Sequence, residues 1–278
     1  MPGLSASLTE GMVQQKAPVL MNRRIARDHF LMRLKSPAAA RRAQPGQFVH
    51  VLCEGESAGR SPLLRRPISM VDADPKKGTL DFIYKVLGLG TEVLSHVRAG
   101  SRVDFLGPVG RPFPFPRKGQ AIWLVGGGVG IPPLVFLAKV LTSAGPADIR
   151  VFLGARTKDW VICAADFRKL KLPVHIATDD DTAGHCGSVV DLLAKNPVMQ
   201  SPALYICGPT PMMAAAARWA KVRGIPAQVS LEERMGCAMG VCMGCVVEVN
   251  DEPVGSHARF QRVCTEGPVF SAEEIVWR

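Results

Sequence analysis

The feature that most constrains the fold of this chain is a change of pattern at about residue 120. Beyond it, apolar strand-like runs alternate with helix-like runs, beginning with AIWLVGG (121–127) and IPPLVFLAKVLTSAG (131–145). Repeated β–α units of this length form a parallel, doubly wound sheet with helices on both faces. Before residue 120, short strand-like runs such as GTLDFIYKVLG (78–88) are set off by Gly, Pro and Asp. That earlier pattern predicts an antiparallel β-barrel.

These two patterns and a cysteine-rich end divide the 278 residues into three domains. The predicted fold class is therefore α/β plus β. We expect a loose tail over 1–17, because that stretch is polar and rich in small residues. The barrel then covers 18–118, the Rossmann-like parallel sheet covers 119–232, and a small cysteine-bearing domain covers 233–278.

The composition excludes several classes of protein. Hydrophobic residues make up 47% of the chain, which is typical of a globular protein. No uninterrupted apolar run of about 18 residues occurs and the N-terminus lacks the pattern of a secretory signal, so we expect a cytoplasmic protein. The net charge of +10 is spread along the chain without interleaved aromatic residues. It favours a surface that holds anionic cofactors over nucleic-acid binding, which stays an alternative.

The loop GGGVGIPP (126–133) joins an apolar strand to a helix. Glycines let the backbone approach a pyrophosphate closely, and a helix N-terminus supplies N–H groups. We therefore assign dinucleotide binding to Gly126, Gly127, Gly128 and Gly130, with a plain tight turn as the alternative. In CGPTPMM (207–213), Cys207 and Gly208 end a parallel strand where such sheets bind ligands, so we place them near a nicotinamide. Close packing is the alternative for Cys207.

Two segments of the barrel region carry phosphate-binding features. LLRRPISM (63–70) contains two arginines, whose guanidinium forks suit a pyrophosphate, and a serine that can reach a flavin ring. IYKVLGLGT (83–91) contains Tyr84, which can pack against a flat ring, and a Gly–Thr pair that can open a helix toward phosphate. A surface basic loop and an ordinary strand with a glycine turn are the alternatives.

Four of the eight cysteines have the spacing of a cluster ligand set. Cys237-x4-Cys242-x2-Cys245, followed by Cys264 after eighteen residues, is the plant-type [2Fe–2S] pattern. Thiolates are the soft ligands that iron–sulfur centres require, and the neighbouring glycines let the loop wrap around a cluster. Zinc is the competing metal, but it usually takes two close ligand pairs rather than a triplet and a single cysteine.

Taken in order, these motifs resemble the ferredoxin-NADP reductase superfamily, and within it the electron transfer subunits of class 1B dihydroorotate dehydrogenases. PGQFVH, LLRRPIS, the YKVxGxGT strand, GGGVGIPP, CGPTPM, the cysteines and VCTEGPVF match in order and spacing from about Val19 onward. The resemblance implies three cofactors, which are FAD, NAD and a [2Fe–2S] cluster. It also implies the FAD-binding residues Arg66, Pro67, Ile68, Ser69, Ile83, Tyr84, Lys85, Gly90 and Thr91.

The resemblance further implies a separate catalytic partner. This partner carries FMN and oxidises dihydroorotate to orotate for pyrimidine biosynthesis, usually in a heterotetramer of two copies of each subunit. The sequence shows no Ser–His–Asp set or paired carboxylates, so no catalytic residue is assigned and the acid–base chemistry falls to the partner. An NAD(P)H-dependent ferredoxin or sulfide-type reductase subunit and a zinc-stabilised nucleic-acid-binding protein are the alternatives. NAD against NADP stays open, because Arg156 and Lys158 follow the second parallel strand.

Overall fold

The computed structural model describes residues 12–54, 62–145, 148–198, 201–250 and 259–278. The chain divides into two compact units. The first holds the residues up to Pro112 together with Glu232–Val246 and Arg262–Pro268. The second holds Phe113–Leu231, Val247–Gln261 and Val269–Arg278. The segment that we expected to be a separate domain from 233 onward is therefore divided between the two units.

The first unit is built on a closed six-stranded barrel with the strand order β1-β2-β5-β4-β3-β6. All of its neighbouring strands are antiparallel, as the short-strand pattern predicts. Fully buried side chains such as Met32, Phe82 and Phe105 form its core. The strands are β1 (Val13–Ala26), β2 (His29–Lys35), β3 (Phe48–Val51), β4 (Arg66–Asp74), β5 (Thr79–Lys85) and β6 (Arg102–Val109), and the helices are α1 (Pro37–Arg42) and α2 (Leu89–Ser95).

The first strand begins earlier than the sequence suggested. We expected a loose tail over 1–17, but β1 starts at Val13 and pairs with β6 from Val13↔Gly107 to Pro18↔Arg102. Six strands close the barrel, and the pairing of β1 with β6 makes that closure. Residues 13–17 therefore belong to the barrel, whereas residues 1–11 of the expected tail lie outside the described residues.

The second unit contains a seven-stranded sheet of order β10-β9-β8-β7-β11-β12-β15. The strands are parallel except β15, which pairs antiparallel with β12. The strands are β7 (Ile122–Gly127), β8 (Ile149–Ala155), β9 (Val174–Thr178), β10 (His185–Cys186), β11 (Ala203–Cys207), β12 (Ala227–Ser230) and β15 (Val269–Ser271), and the helices are α3 (Ile131–Ser143), α4 (Ala164–Lys169), α5 (Val189–Ala194) and α6 (Thr210–Val222).

Two local features differ from the sequence-based expectation. Strand β15 comes from the C-terminal segment but forms the edge of the parallel sheet, an arrangement common in large α/β sheets. The run WVICAADFRKLK (160–171) predicts a single helix, but only α4 forms there, because Cys163 adopts a left-handed backbone with φ of 62° that cannot continue a helix. Strands β13 (Val246–Glu248) and β14 (Phe260–Arg262) form a separate two-stranded sheet. Among the described residues, every helix is too short or too polar to cross a bilayer.

Candidate functional site

The FAD-type motifs lie where two neighbouring barrel strands separate. Strands β4 and β5 pair from Asp74↔Thr79 to Met70↔Phe82, and the described ladder ends there. The preceding part of β4 still pairs with β3, and the following part of β5 still pairs with β2. Among the described residues, these two segments are therefore not paired with each other, and each leaves a backbone edge facing the other. They contain the predicted flavin residues Arg66, Pro67, Ile68, Ser69, Ile83 and Tyr84, and Lys85 is the last residue of β5.

The two adjacent arginines of this motif have different environments. Arg65 forms an ion pair with Asp104 at 2.7 Å between Nη1 and Oδ1, and both side chains are mostly buried. Arg66 is half-buried and its Nη1 donates to the carbonyl oxygen of Leu64 at 2.5 Å. Its guanidinium also lies against Gly90, since a β-carbon built there would stand 2.9 Å from Nε. The Arg65 side chain is thus paired with a carboxylate on β6, whereas the Arg66 side chain lies beside the first turn of α2.

The start of α2 is held in place by contacts within the first unit. The Thr91 hydroxyl accepts from the backbone N–H of Leu87 at 2.9 Å and donates to the carbonyl of Gly88 at 3.0 Å. At the other end of the helix, the Asn22 amide donates to the carbonyls of Leu94 and Val97 at 2.9 and 2.8 Å. No local pattern marks Asn22, because the carbonyls to which it donates lie more than seventy residues away in the chain.

The Tyr84 side chain is buried within the first unit rather than open to a ligand. It is 3% exposed, stacks on Phe30 with ring centroids 5.7 Å apart, and donates its hydroxyl to Asn22 at 3.0 Å. Asn22 therefore connects Tyr84 to the C-terminal end of α2. In this structure the Tyr84 side chain supports the site, and the unpaired backbone edge of β5 is the part left for a ligand.

The glycine-rich loop of the second unit has two kinds of glycine. Gly127 and Gly130 are required for packing, since β-carbons there would stand 2.7 Å from the Met212 sulfur and 2.4 Å from the Cys207 carbonyl carbon. Gly128 has φ of +53° with open space around its missing β-carbon. Gly126 is in close contact with α3. The loop is followed directly by α3, so its backbone and a helix N-terminus lie together, as nucleotide phosphates require.

Cys207 lies at the carboxyl end of β11, beside this loop. Its side chain is 1% exposed and its thiol donates to the carbonyl of Ser230 at 3.5 Å. A nicotinamide contact by Cys207 stays a prediction. At the same edge of the sheet, the backbone N–H of Asp180 donates to the carbonyl of the exposed Arg156 at 3.3 Å, so the turn after β8 lies against the turn after β9.

The three-cysteine loop is wound by left-handed residues. Ala238, Gly240 and Met243 all have positive φ, which turns successive backbone N–H groups inward. The N–H groups of Met239 and Cys242 donate to the Cys237 sulfur at 3.4 Å each. A β-carbon at Gly236 would stand 3.3 Å from the Cys242 sulfur, so the glycine leaves that thiol room.

The thiols of the two cysteine segments interact with one another. Cys237 interacts with Cys242, and Cys264 interacts with both Cys245 and Cys237. Among the described residues, no group of three or more His, Cys, Asp and Glu side chains converges on one ion. Four thiolates are the ligand set of a [2Fe–2S] cluster, and their triplet-plus-single spacing differs from the two close ligand pairs that zinc usually takes.

The pKa values of the thiols differ across the set. Burial raises the pKa of Cys237, but N–H donation from Met239 and Cys242 outweighs it and lowers the value to about 7. Burial, with a smaller contribution from Cys245, raises the pKa of Cys264 to about 12. Cys237 is therefore the thiol that most readily provides a thiolate.

Family models match all three regions of the chain. Residues 16–113 match the oxidoreductase FAD-binding domain, and residues 124–218 match the oxidoreductase NAD-binding domain. Residues 232–276 match the iron–sulfur cluster binding domain of dihydroorotate dehydrogenase B. These three matches follow the order of the motifs along the sequence.

Curated relatives match the chain over nearly its whole length. A protein of Desulforamulus reducens named dihydroorotate dehydrogenase B (NAD(+)), electron transfer subunit, is 40% identical over 94% of this chain and 97% of its own. A protein of Geobacillus thermodenitrificans with the same name is 41% identical over 95% and 98%. Among solved structures, the NADH-dependent reduced ferredoxin-NADP oxidoreductase shares 31% identity with a TM-score of 0.81, over 100% of this chain and 92% of that one.

Proposed function

Since this chain belongs to the family of dihydroorotate dehydrogenase B electron transfer subunits, we propose that it connects dihydroorotate oxidation to NAD+. Electrons pass from the FMN of a catalytic partner through a [2Fe–2S] cluster and FAD to NAD+. The observation that carries this proposal is the cysteine set, whose four thiols lie in the same compact unit as the flavin motifs. Bound FAD exchanges a hydride with a nicotinamide and single electrons with an iron–sulfur centre, so it converts one kind of transfer into the other.

The residues of the barrel bind and orient the flavin. Arg66 and the first turn of α2 provide positive charge for the pyrophosphate, while Arg65 stays bound to Asp104. The unpaired backbone edges of β4 and β5 provide hydrogen-bonding groups for the flavin, and Ser69 lies on the first of them. None of these residues needs to carry out acid–base chemistry, which belongs to the partner subunit.

The cysteine loop provides the surface for the partner. Met239, Val241 and Met243 are 49%, 78% and 50% exposed, and they surround the exposed Cys242. Apolar side chains around a redox centre suit a protein interface that excludes water. We place the catalytic subunit against this loop, in a heterotetramer with two copies of each subunit. Because the thiols must stay reduced to bind iron, we place the complex in the cytoplasm.

We assign NAD rather than NADP as the nicotinamide cofactor. The curated relatives are named for NAD(+). In this chain the backbone of Arg156 is hydrogen-bonded to the backbone of the segment that carries Asp179, Asp180 and Asp181, and the negative charge of that segment disfavours a 2′-phosphate nearby. We expect kcat/KM for NADH to exceed that for NADPH, as measured by reduction of the bound flavin. An equal or reversed preference would contradict this assignment.

A loss-of-cluster variant tests the proposed function. Cys245→Ala removes a thiolate that no neighbouring side chain replaces, and Cys186→Ala removes an exposed cysteine outside the set as the control. With the catalytic subunit present, Cys245→Ala should lose iron and stop coupling dihydroorotate to NAD+. NADH should still reduce the flavin, and the reduced flavin should still reduce an electron-accepting dye, since hydride transfer to the flavin does not involve the four cluster cysteines. Cluster-free protein that couples the two substrates at the parent rate would contradict the proposal.

A second candidate is a ferredoxin-linked reductase subunit. It is favoured by the likeness to the NADH-dependent reduced ferredoxin-NADP oxidoreductase over the whole chain. The same preparation distinguishes the two functions when reduced ferredoxin and dihydroorotate are compared as electron donors. Activity with dihydroorotate in the presence of the catalytic subunit supports the first proposal, and activity with ferredoxin alone supports the second.

A further inference from the structure

Arg262 joins the two segments that carry the cluster cysteines. Its Nη1 donates to the carbonyl oxygen of Gly240, in the middle of the three-cysteine loop, at 2.8 Å. Its Nε and Nη2 donate to the two carboxylate oxygens of Glu266 at 2.9 and 2.5 Å. The guanidinium therefore connects the loop that contains Cys237, Cys242 and Cys245 to the turn that contains Cys264.

The backbone of Arg262 organises that turn as well. Its carbonyl oxygen accepts from the N–H groups of Thr265, Glu266 and Gly267 at 3.2, 2.9 and 3.2 Å. Its own N–H donates to the Glu266 carboxylate at 2.8 Å. One residue thus closes the turn around Cys264 through both its main chain and its side chain.

Gly240 and the buried Thr265 lie in direct contact at this junction. A β-carbon on Gly240 would stand 2.8 Å from the Thr265 Cγ2 atom and 3.2 Å from the Arg262 Nη1 atom. The junction is therefore closely packed, and Arg262 is its charged member.

We propose that Arg262 is a positioning residue for the [2Fe–2S] cluster, which fixes the Cys264 turn against the three-cysteine loop and places a positive charge beside the thiolates. The inference rests on the cluster assigned under the proposed function. Neither the spacing of the cysteines nor the family matches assign a role to this side chain. Arg262 is also missed by sequence reasoning, since an arginine two residues before a cysteine is not a motif.

The positive charge of Arg262 has a direct effect on a cluster held there. The Arg262 Nη1 atom donates to a carbonyl inside the three-cysteine loop, and the Arg262 backbone closes the turn around Cys264, so the guanidinium lies next to both segments that carry the cluster thiols. Reduction adds one negative charge to a cluster. A nearby cation favours the reduced form and raises the reduction potential, whereas the Glu266 carboxylate opposes that effect.

Three variants of the full-length chain test the proposal. Arg262→Gln removes the charge, Arg262→Lys keeps the charge but loses the fork that bonds two partners at once, and Glu266→Gln removes the opposing carboxylate. Arg259→Gln is the matched control, because Arg259 is a nearby arginine that pairs with Glu248 instead. The readouts are iron content, the rate of iron loss to a chelator, and the midpoint potential followed by electron paramagnetic resonance.

We expect the two charge-removing variants to move the potential in opposite directions. Arg262→Gln should lower the midpoint potential by about 59 mV, which corresponds to a tenfold change in the one-electron equilibrium constant. Glu266→Gln should raise the midpoint potential. Arg262→Lys should keep the parent potential but lose iron about tenfold faster. If Arg262→Gln cannot be loaded with iron, the potentials and iron-loss rates of Arg262→Lys and Glu266→Gln test the role of Arg262.

The inference is overturned if Arg262→Gln and Glu266→Gln shift the potential in the same direction. It is also overturned if Arg262→Lys and Glu266→Gln both keep the parent potential and the parent rate of iron loss. None of these measurements uses dihydroorotate or the catalytic subunit. A chain that behaves as expected here but fails to couple dihydroorotate to NAD+ would contradict the proposed function alone.

Discussion

The guanidinium of Arg66 occupies the space that a side chain on Gly90 would fill. A β-carbon on Gly90 would stand 2.9 Å from the Arg66 Nε atom and 3.2 Å from Cζ. The Arg66 side chain therefore reaches the first turn of α2 at a position that carries no side chain of its own. We propose that the Arg66 guanidinium and the N–H groups at the start of α2, brought close together in this way, both bind the FAD pyrophosphate.

We predict that Gly90→Ala weakens FAD binding, because the new methyl group displaces the guanidinium of Arg66. The loss of one hydrogen bond to a charged group is about 1.5–3 kcal/mol, which is about 10- to 100-fold in the dissociation constant of FAD. The measurement is a titration of flavin-free protein followed by fluorescence. Gly88→Ala is the matched control, since a β-carbon there meets no atom within 4 Å. Equal affinities in the two variants would contradict the role of this contact.

Arg66→Ala should lower flavin occupancy to a similar extent while the barrel stays folded. The barrel does not depend on Arg66, because Arg65 makes the buried ion pair with Asp104. The measurement compares the flavin-to-protein absorbance ratio with the circular dichroism spectrum. Full flavin occupancy in Arg66→Ala would show that this arginine does not hold the cofactor.

Gly128→Val should raise the NADH concentration required to reduce the flavin by about tenfold or more, which corresponds to one lost hydrogen bond to a charged group. The valine side chain fills the open space over the loop where we place the pyrophosphate, and FAD content should not change. Gly119→Val is the matched control, since Gly119 also has positive φ and open surroundings and carries the same backbone strain. A KM for NADH that is unchanged in Gly128→Val would show that the loop is wrongly assigned.

In cluster-free protein, Cys237 should react with alkylating agents near neutral pH, whereas Cys264 should not. The pKa of Cys237 is lowered to about 7 and that of Cys264 is raised to about 12. Since the thiolate is the reactive form, alkylation of Cys237 by iodoacetamide should increase as the pH rises through about 7, while Cys264 stays unreacted. Peptide mapping by mass spectrometry measures both rates. Equal rates for the two cysteines at pH 7 would contradict the difference.

Stability should fall in mild acid because of His50. Burial, and after it Arg65, lowers the pKa of this fully buried histidine to about 4 from an ordinary value of 6.5. Below pH 6.5 the His50 side chain of the unfolded chain binds a proton, whereas in the folded chain it stays neutral down to about pH 4. The free energy of unfolding therefore decreases as the pH falls from 6.5 to 4. The effect reaches about 3 kcal/mol at the lower pH.

Urea unfolding at pH 7, 5.5 and 4.5 measures this dependence. His50→Leu should show a flatter decrease in the free energy of unfolding across that range. His96→Leu is the control, since His96 is exposed and lies at the end of α2. The same slope in His50→Leu and in the parent would exclude His50 as the source.

Sequence reasoning predicted the barrel, the parallel sheet and the motifs, because each rests on local patterns. Strand alternation, turn residues and cysteine spacing involve contacts between residues that are close in the chain. The residues of LLRRPISM alone do not separate its two arginines, and the resemblance implies Arg66. The structure supports Arg66, because Asp104 already binds Arg65, and it brings the thiols of the two cysteine segments into interaction, as a [2Fe–2S] cluster requires.

What only the tertiary structure decided depends on contacts between distant residues. Val13–Ala17 is a strand because β6 lies beside it, and Val269–Ser271 joins the parallel sheet because β12 offers an open edge. Asn22 and Arg262 act on residues far along the chain or in another loop, so neither has a local signature. The sequence by itself determined which cofactors the chain can bind, since the motifs carry that chemistry. The tertiary structure decided which side chains hold those motifs in place, because long-range packing is not written in any short stretch of residues.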